Sequence, residues 1–385
     1  MKLLPLLLSS CIVYSCYATA REWKSECMGY YQLMLPENVE VALHPIGLIL
    51  EPRKDPAWRK NTFANRYLLP RISFGESRYQ NNNDEIQAQF SQFYYGNYEI
   101  IISSENESVI DLLNYKKQFQ DRTDTHIQDY WNTRDYEISL KLPVLSKEIS
   151  ASSLAYSIDN YNDAFSASDS GGYSIHINKN NRLYIFNKSN ETRSLDEQLI
   201  KNKPEILSFI KHFQSRKLYE VPAEQGFCIP YGFIAGDSGH EPRNMGVTYR
   251  LKNHPDVTIF FQDLGLNPGP GERRPDPNMS ARDYVTYFWN VRYGHSFREI
   301  KLYGKEFTYP EIDNRKAVAA FAKFTRFSKE IDYGYVAFVK GTTPDEPDLL
   351  FYVMRDSRQA KGNPPMDKDE LEKMAEHIVS SIKRL

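Results

Sequence analysis

The amino-acid sequence predicts an α+β protein built from two α/β-type domains, each a mainly antiparallel sheet packed with amphipathic helices. Three observations carry this. The chain has 385 residues, 41% hydrophobic and 14% aromatic, with 27 Tyr and 21 Phe; at roughly 100 to 200 residues per domain, that length supplies two cores. Short β-type runs recur through both halves. Each half then closes on an amphipathic helix, which gives the two domains a similar plan.

In chain order, Val39 to Glu51 is apolar and extended in character. Three consecutive Ile within Tyr98 to Ser103, and the alternation of Tyr136 to Leu142, predict further strands. Between them Val109, Leu112, Leu113 and Phe119 have helix-like spacing. The runs 173–177 and 183–186 flank Asn178-Lys179-Asn180-Asn181, a hairpin turn because Asn tolerates positive φ. Ser194-Leu195-Asp196-Glu197 has capping-box spacing and opens a helix. Pro204 is expected to kink it or split it in two.

A fresh strand pattern starts near Gly226 and sets the domain boundary, giving 21–222 and 223–385. Runs 247–251, 257–261, 297–302, 333–339 and 349–354 read as strands. Ala281 to Tyr293 reads as a helix capped by Ser280, while Ala317 to Phe324 fits helix or strand. Leu371, Met374, Ala375, Ile378, Val379 and Ile382 follow the i, i+3, i+4, i+7 pattern behind Asp367 and Glu370.

Ahead of these elements, Lys2, the apolar run from Leu3 and Ala18-Thr19-Ala20 have the form of an export signal over residues 1–20. The apolar run is shorter than the ~20 residues that cross a bilayer. Cleavage after Ala20 is the first reading; Val13-Tyr14-Ser15-Cys16 and Leu8-Ser9-Ser10-Cys11 also resemble lipoprotein signals, so lipidation of Cys16 is the second. Either places the protein in the periplasm. Cleavage leaves Cys27 and Cys228, which in an oxidising space pair in a disulfide or persist as two buried thiols; the bridge is favoured.

Charge and motifs exclude more than they assign. With 48 Lys+Arg against 50 Asp+Glu, net −2, the chain has no basic excess for nucleic acid. Gly236-Asp237-Ser238-Gly239 and Asp169-Ser170-Gly171-Gly172 share four letters with a serine-protease nucleophile loop, yet no His sits in a base motif and Asp-Ser-Gly is ordinary loop sequence. The eight His lack metal-ligand spacing. No catalytic residue, metal or cofactor is expected. The Gly- and Pro-rich loop after Gly265 holds Asn267, Arg273 and Arg274, which suit a partner contact because Arg pairs bidentately with carboxylates and prolines lower the entropy of docking. The plainer reading is a solvated connection to the Ser280 helix.

Lys217-Leu218-Tyr219-Glu220-Val221-Pro222-Ala223-Glu224-Gln225-Gly226-Phe227-Cys228-Ile229 resembles the E-[IV]-P-x-x-x-G-F-C-I signature that opens the C-terminal domain of immunity proteins against type VI secretion lipase effectors of the fourth class. Glu26-Cys27-Met28-Gly29-Tyr30-Tyr31 with Leu35-Pro36 is similar to the opening of that family's N-terminal domain, with Tyr30 in the usual Arg position. His254-Pro255-Asp256-Val257 and Ile378 to Arg384 resemble later blocks. The resemblance implies a two-domain periplasmic protein that binds a toxic phospholipase and blocks substrate access, without catalytic residues of its own. It also implies that Cys27 and Cys228 open the two domains. The competing expectation is a periplasmic binder of a solute or envelope polymer, favoured by Tyr-rich loops and a cleft between domains.

Overall fold

Strand-forming runs become strands almost throughout the computed structural model, which describes residues 22–51, 71–75, 87–141, 154–190, 194–265, 275–343 and 346–385. The chain first forms β1 (Trp23–Met28), β2 (Tyr31–Pro36), β3 (Val39–Val41), α1 (Ile46–Leu50), β4 (Gln92–Tyr95), β5 (Tyr98–Ile102) and α2 (Leu112–Ser139). Next come β6 (Tyr156–Asn160), β7 (Ala164–Asp169), β8 (Gly172–Lys179), β9 (Arg182–Ser189), α3 (Leu195–His212) and β10 (Phe213–Ser215). The C-terminal part holds β11 (Gly226–Ile229), β12 (Gly232–Ala235), β13 (Arg243–Leu251), β14 (Val257–Leu264), α4 (Ala281–Tyr293) and β15 (Glu299–Thr308). It finishes with β16 (Glu311–Ile312), β17 (Arg315–Lys316), β18 (Val318–Thr325), β19 (Ile331–Val339), β20 (Asp348–Arg355), α5 (Lys368–Ser381) and β21 (Lys383–Arg384).

The dominant feature is a 13-stranded sheet in the order β15-β18-β19-β20-β14-β13-β4-β5-β9-β8-β7-β6, with β3 also paired to β13. Its strand pairs are antiparallel, and β13 joins the halves: Arg243 to Gly246 pair with Tyr95 to Gln92, and Tyr249 to Leu251 with Val41 to Val39. The small sheet β1-β2-β21 also joins the first strands to the last, while β10-β12-β11 is built from neighbouring segments. Helices cover both faces of the large sheet, so β20 reads as a continuous apolar run: Leu349, Phe351 and Val353 enter the core under α5, while Leu350, Tyr352 and Met354 enter the core under α4. On the other half-sheet α1 and α2 cover Ile101, Phe165, Leu183 and Ile185.

Caps and turns follow the local chemistry. Ser194, Ser280 and Asp367 accept hydrogen bonds from the first turns of α3, α4 and α5. The β8–β9 hairpin turns on Asn180 and Asn181, at φ 51° and 54°, the two positive values a type I′ turn requires.

Several expectations are corrected. Within Val39 to Glu51 only β3 is extended; beyond Pro45 the chain turns into α1, where Ile46 and Ile49 share a buried helical face. A short apolar run fits both periods. Tyr136 to Ser139 is helix, the last turn of α2: Tyr136, Ile138 and Leu140 are 64%, 52% and 50% exposed, so their alternation marks no buried strand face, and Leu142 lies outside the described residues. Pro204 does not divide α3 into two helices. The carbonyl it leaves without a donor belongs to Ile200, whose side chain is 79% exposed, so that turn faces water. The ambiguous run 317–324 is strand, β18.

Candidate interaction surface

The residues of the signature near Gly226 do structural work at the centre of the molecule. Cys228 and Cys27 are joined in a disulfide with Cα atoms 5.8 Å apart. Beside it, Gly29 and Cys228 exchange backbone hydrogen bonds of 2.9 and 3.0 Å. Gly29 has φ 60°, and a Cβ there would lie 2.5 Å from Asp263 Oδ2, so both backbone and space require glycine. Arg216 donates to Glu26 Oε1 at 2.5 Å and to the Cys27 and Ile229 carbonyls at 2.7 and 3.2 Å. Both members of this ion pair are almost fully buried, and Glu26 Oε2 also accepts the Tyr219 N–H.

Tyr30, the departure from the family pattern, is also interior. Its hydroxyl donates to Asp237 at 2.7 Å, Tyr95 donates to the same carboxylate, and the Arg243 guanidinium lies 4.5 Å from its ring centroid. Arg243 in turn holds Asp263 at 2.8 Å. Burial first, then the Asp237 hydrogen bond and charge, raise the Tyr30 pKa, so its hydroxyl remains a donor.

The two Asp-Ser-Gly loops are turns. Ser238 Oγ donates to Glu241 at 3.4 Å and accepts the His240 N–H at 3.2 Å, while Asp237 is occupied by the two tyrosines. Asp169 accepts the Gly171 N–H at 2.8 Å. Among the described residues no group of three or more His, Cys, Asp or Glu is placed to hold a metal ion, and no helix is long and apolar enough to cross a membrane.

Of the residues expected to meet a partner, Asn267, Arg273 and Arg274 lie outside the described residues, as does Cys16. The end of that loop is visible: Lys340 Nζ reaches the Pro277 and Met279 carbonyls, the latter at 2.6 Å, and fixes the approach to α4.

A cavity of about 520 Å³, unforeseen from the sequence, is lined by Phe119 and Thr123 of α2, Tyr156 of β6, and a polar row on the sheet. That row is Glu99, Asn187 and Ser174, paired directly across β5, β9 and β8 and therefore on one face. Beneath it His176 is stacked on Phe165, with rings 4.4 Å apart, and held between Ser174 Oγ at 2.9 Å and the Tyr115 hydroxyl at 3.1 Å. Burial pushes its pKa down to about 3. Only isolated polar letters such as Glu99 before Ile100-Ile101-Ile102 hint at the site, because its walls come from six separate elements.

Residues 220–282 match the family model of the Tle cognate immunity protein 4 C-terminal domain. No curated protein matches the chain in sequence. Among solved structures, the apo form of TplEi, an immunity protein of the type VI secretion system (T6SS) of Pseudomonas aeruginosa, is 15% identical with a TM-score of 0.52, covering 94% of this chain and 97% of that one. The same protein complexed with an "L" peptide is 14% identical, TM-score 0.51, over 94% and 98% of the two chains. The Tle4–Tli4 complex gives 14% identity and a TM-score of 0.53 over 94% and 97%. The signature around Gly226 lies inside the segment that matches the Tle cognate immunity protein 4 C-terminal domain, and the chain as a whole is similar in fold to these type VI secretion immunity proteins.

Proposed function

We propose that the protein is an immunity protein that binds a cognate type VI lipase or phospholipase effector in the periplasm, blocks its access to substrate, and transforms nothing itself. The observation that carries this reading is the 220–282 match, set in a chain that is similar in fold to the immunity protein TplEi and to a chain of the Tle4–Tli4 complex over nearly its full length. Export follows from the leader over residues 1–20, with cleavage after Ala20 or anchoring through Cys16. Residues 21–222 and 223–385 are proposed as two units of one clamp, joined at β13 and by the Cys27–Cys228 bridge. Asn267, Arg273 and Arg274 are proposed to touch the effector; replacing both arginines by alanine should raise the Kd.

The test is co-expression. A bacterial host carrying the lipase encoded beside this gene, directed to its periplasm, should grow only when this chain is exported with it, and the two should co-purify. Persistent toxicity despite normal export, or hydrolysis of lipid by the purified protein alone, rejects the reading.

A further inference from the structure

Resting on that reading, we propose that the cavity between α2 and the β5-β9-β8 row receives one basic side chain, arginine or lysine, from the effector. The cavity of about 520 Å³ falls in the range of ligand sites and has room for a long side chain with its flanking backbone. Glu99 borders it with an exposed carboxylate that, among the described residues, makes no side-chain hydrogen bond and no ion pair, and neither does the Asn187 amide paired with it across the strands. Asp169 also borders the space, with its carboxylate engaged by the Gly171 N–H.

The cation in the lining is already committed. Lys188 forms a 2.5 Å ion pair with Glu205 and lies 5.6 and 5.9 Å from the Tyr98 and Tyr173 ring centroids. Among the described residues that line the cavity, the Glu99 carboxylate is therefore the charge without a counter-ion. Phe119 and Tyr156 border the same space, and Asp124 accepts the Tyr156 hydroxyl at its rim. Carboxylate and amide oxygen together suit a guanidinium or ammonium, which donates charge-assisted hydrogen bonds to both, while the rings offer apolar surface for its stem. An anionic ligand would meet the Glu99 carboxylate. Arginine is also among the side chains that concentrate binding energy when they fill a pocket at an interface.

The test uses the full mature chain. N-acetyl-L-argininamide should cause saturable NMR shifts centred on residues 99, 123, 174 and 187, weakened about tenfold in Glu99→Gln, as expected for loss of one charge-assisted hydrogen bond. The citrulline analogue and chitobiose should not reproduce them. Absence of saturable shifts, or shifts from chitobiose and not from argininamide, overturns the proposal; the latter outcome marks a polysaccharide groove. With the lipase, Glu99→Gln and the cavity-filling Thr123→Arg should each weaken binding at least tenfold with unchanged circular dichroism. Unchanged affinity in both, with tight wild-type binding, overturns the cavity's role and leaves the immunity reading standing. A wild-type protein that ignores the lipase overturns the immunity reading, and the argininamide titration still decides the cavity.

Discussion

Arg216 shows what a single side chain can decide. It sits 4% exposed, paired with a 1% exposed Glu26, and it ties β1 to the end of β11. Arg216→Ala would remove the donor from a buried carboxylate and five carbonyls, and should cost about 3–5 kcal/mol in urea unfolding. His44 and His176 predict a pH dependence. Burial holds their folded pKa at about 4 and about 3, against about 6.5 in the unfolded chain. Between about pH 6.5 and those folded values the unfolded state binds more protons, so stability falls as pH drops through this window and is unaffected by these groups above pH 7. The slope is up to about 1.4 kcal/mol per pH unit for each. His176→Gln keeps a hydrogen-bonding side chain without the proton equilibrium; chemical denaturation at pH 7 and pH 5 should show it losing about 2 kcal/mol less than the wild type.

At the scale of the element, α3 carries Pro204 in its interior while burying Gln198, Asn202, Ile206 and Phe209 on one face. Helix propensity favours alanine there by about 3 kcal/mol, offset by about 1 kcal/mol of entropy that proline removes from the unfolded chain. Pro204→Ala should therefore raise stability by about 2 kcal/mol, read from the urea midpoint. The same helix shows what was legible in sequence. Its cap, its apolar face and its end were written locally, as were α4, α5 and the Asn180-Asn181 turn. Harder to read were segments whose neighbours decide: the run after Pro45 satisfies a helix or a strand until Ile46 and Ile49 find Ile101 and Leu183, and Ala317 to Phe324 becomes strand by pairing with β15 and β19. The cavity was not legible at all, because Glu99, Asn187, Ser174 and Phe119 meet only through sheet register and the placement of α2.

For the whole molecule, the Cys27–Cys228 bridge closes a loop of 201 residues across the join between the two halves. Chain entropy sets its contribution at up to about 5 kcal/mol. The Cys27→Ala/Cys228→Ala protein should unfold at correspondingly lower urea, and wild type treated with dithiothreitol should shift to meet it; equal midpoints in all three would show that the Arg216 network alone holds the junction. The single sheet running through β13 argues that the halves unfold together, in one cooperative transition.

The pairing of β2 with β21 has a consequence for synthesis. Tyr31 and Gln32 leave the ribosome long before their partners Arg384 and Lys383, and Leu385 donates its N–H to Tyr30 only after them. A nascent chain whose residues 383–385 are still inside the ribosome cannot close this ladder. Long-range closure of this kind is intrinsically slow, so the sheet that ties the two ends of the fold together is complete only after every other strand has been made.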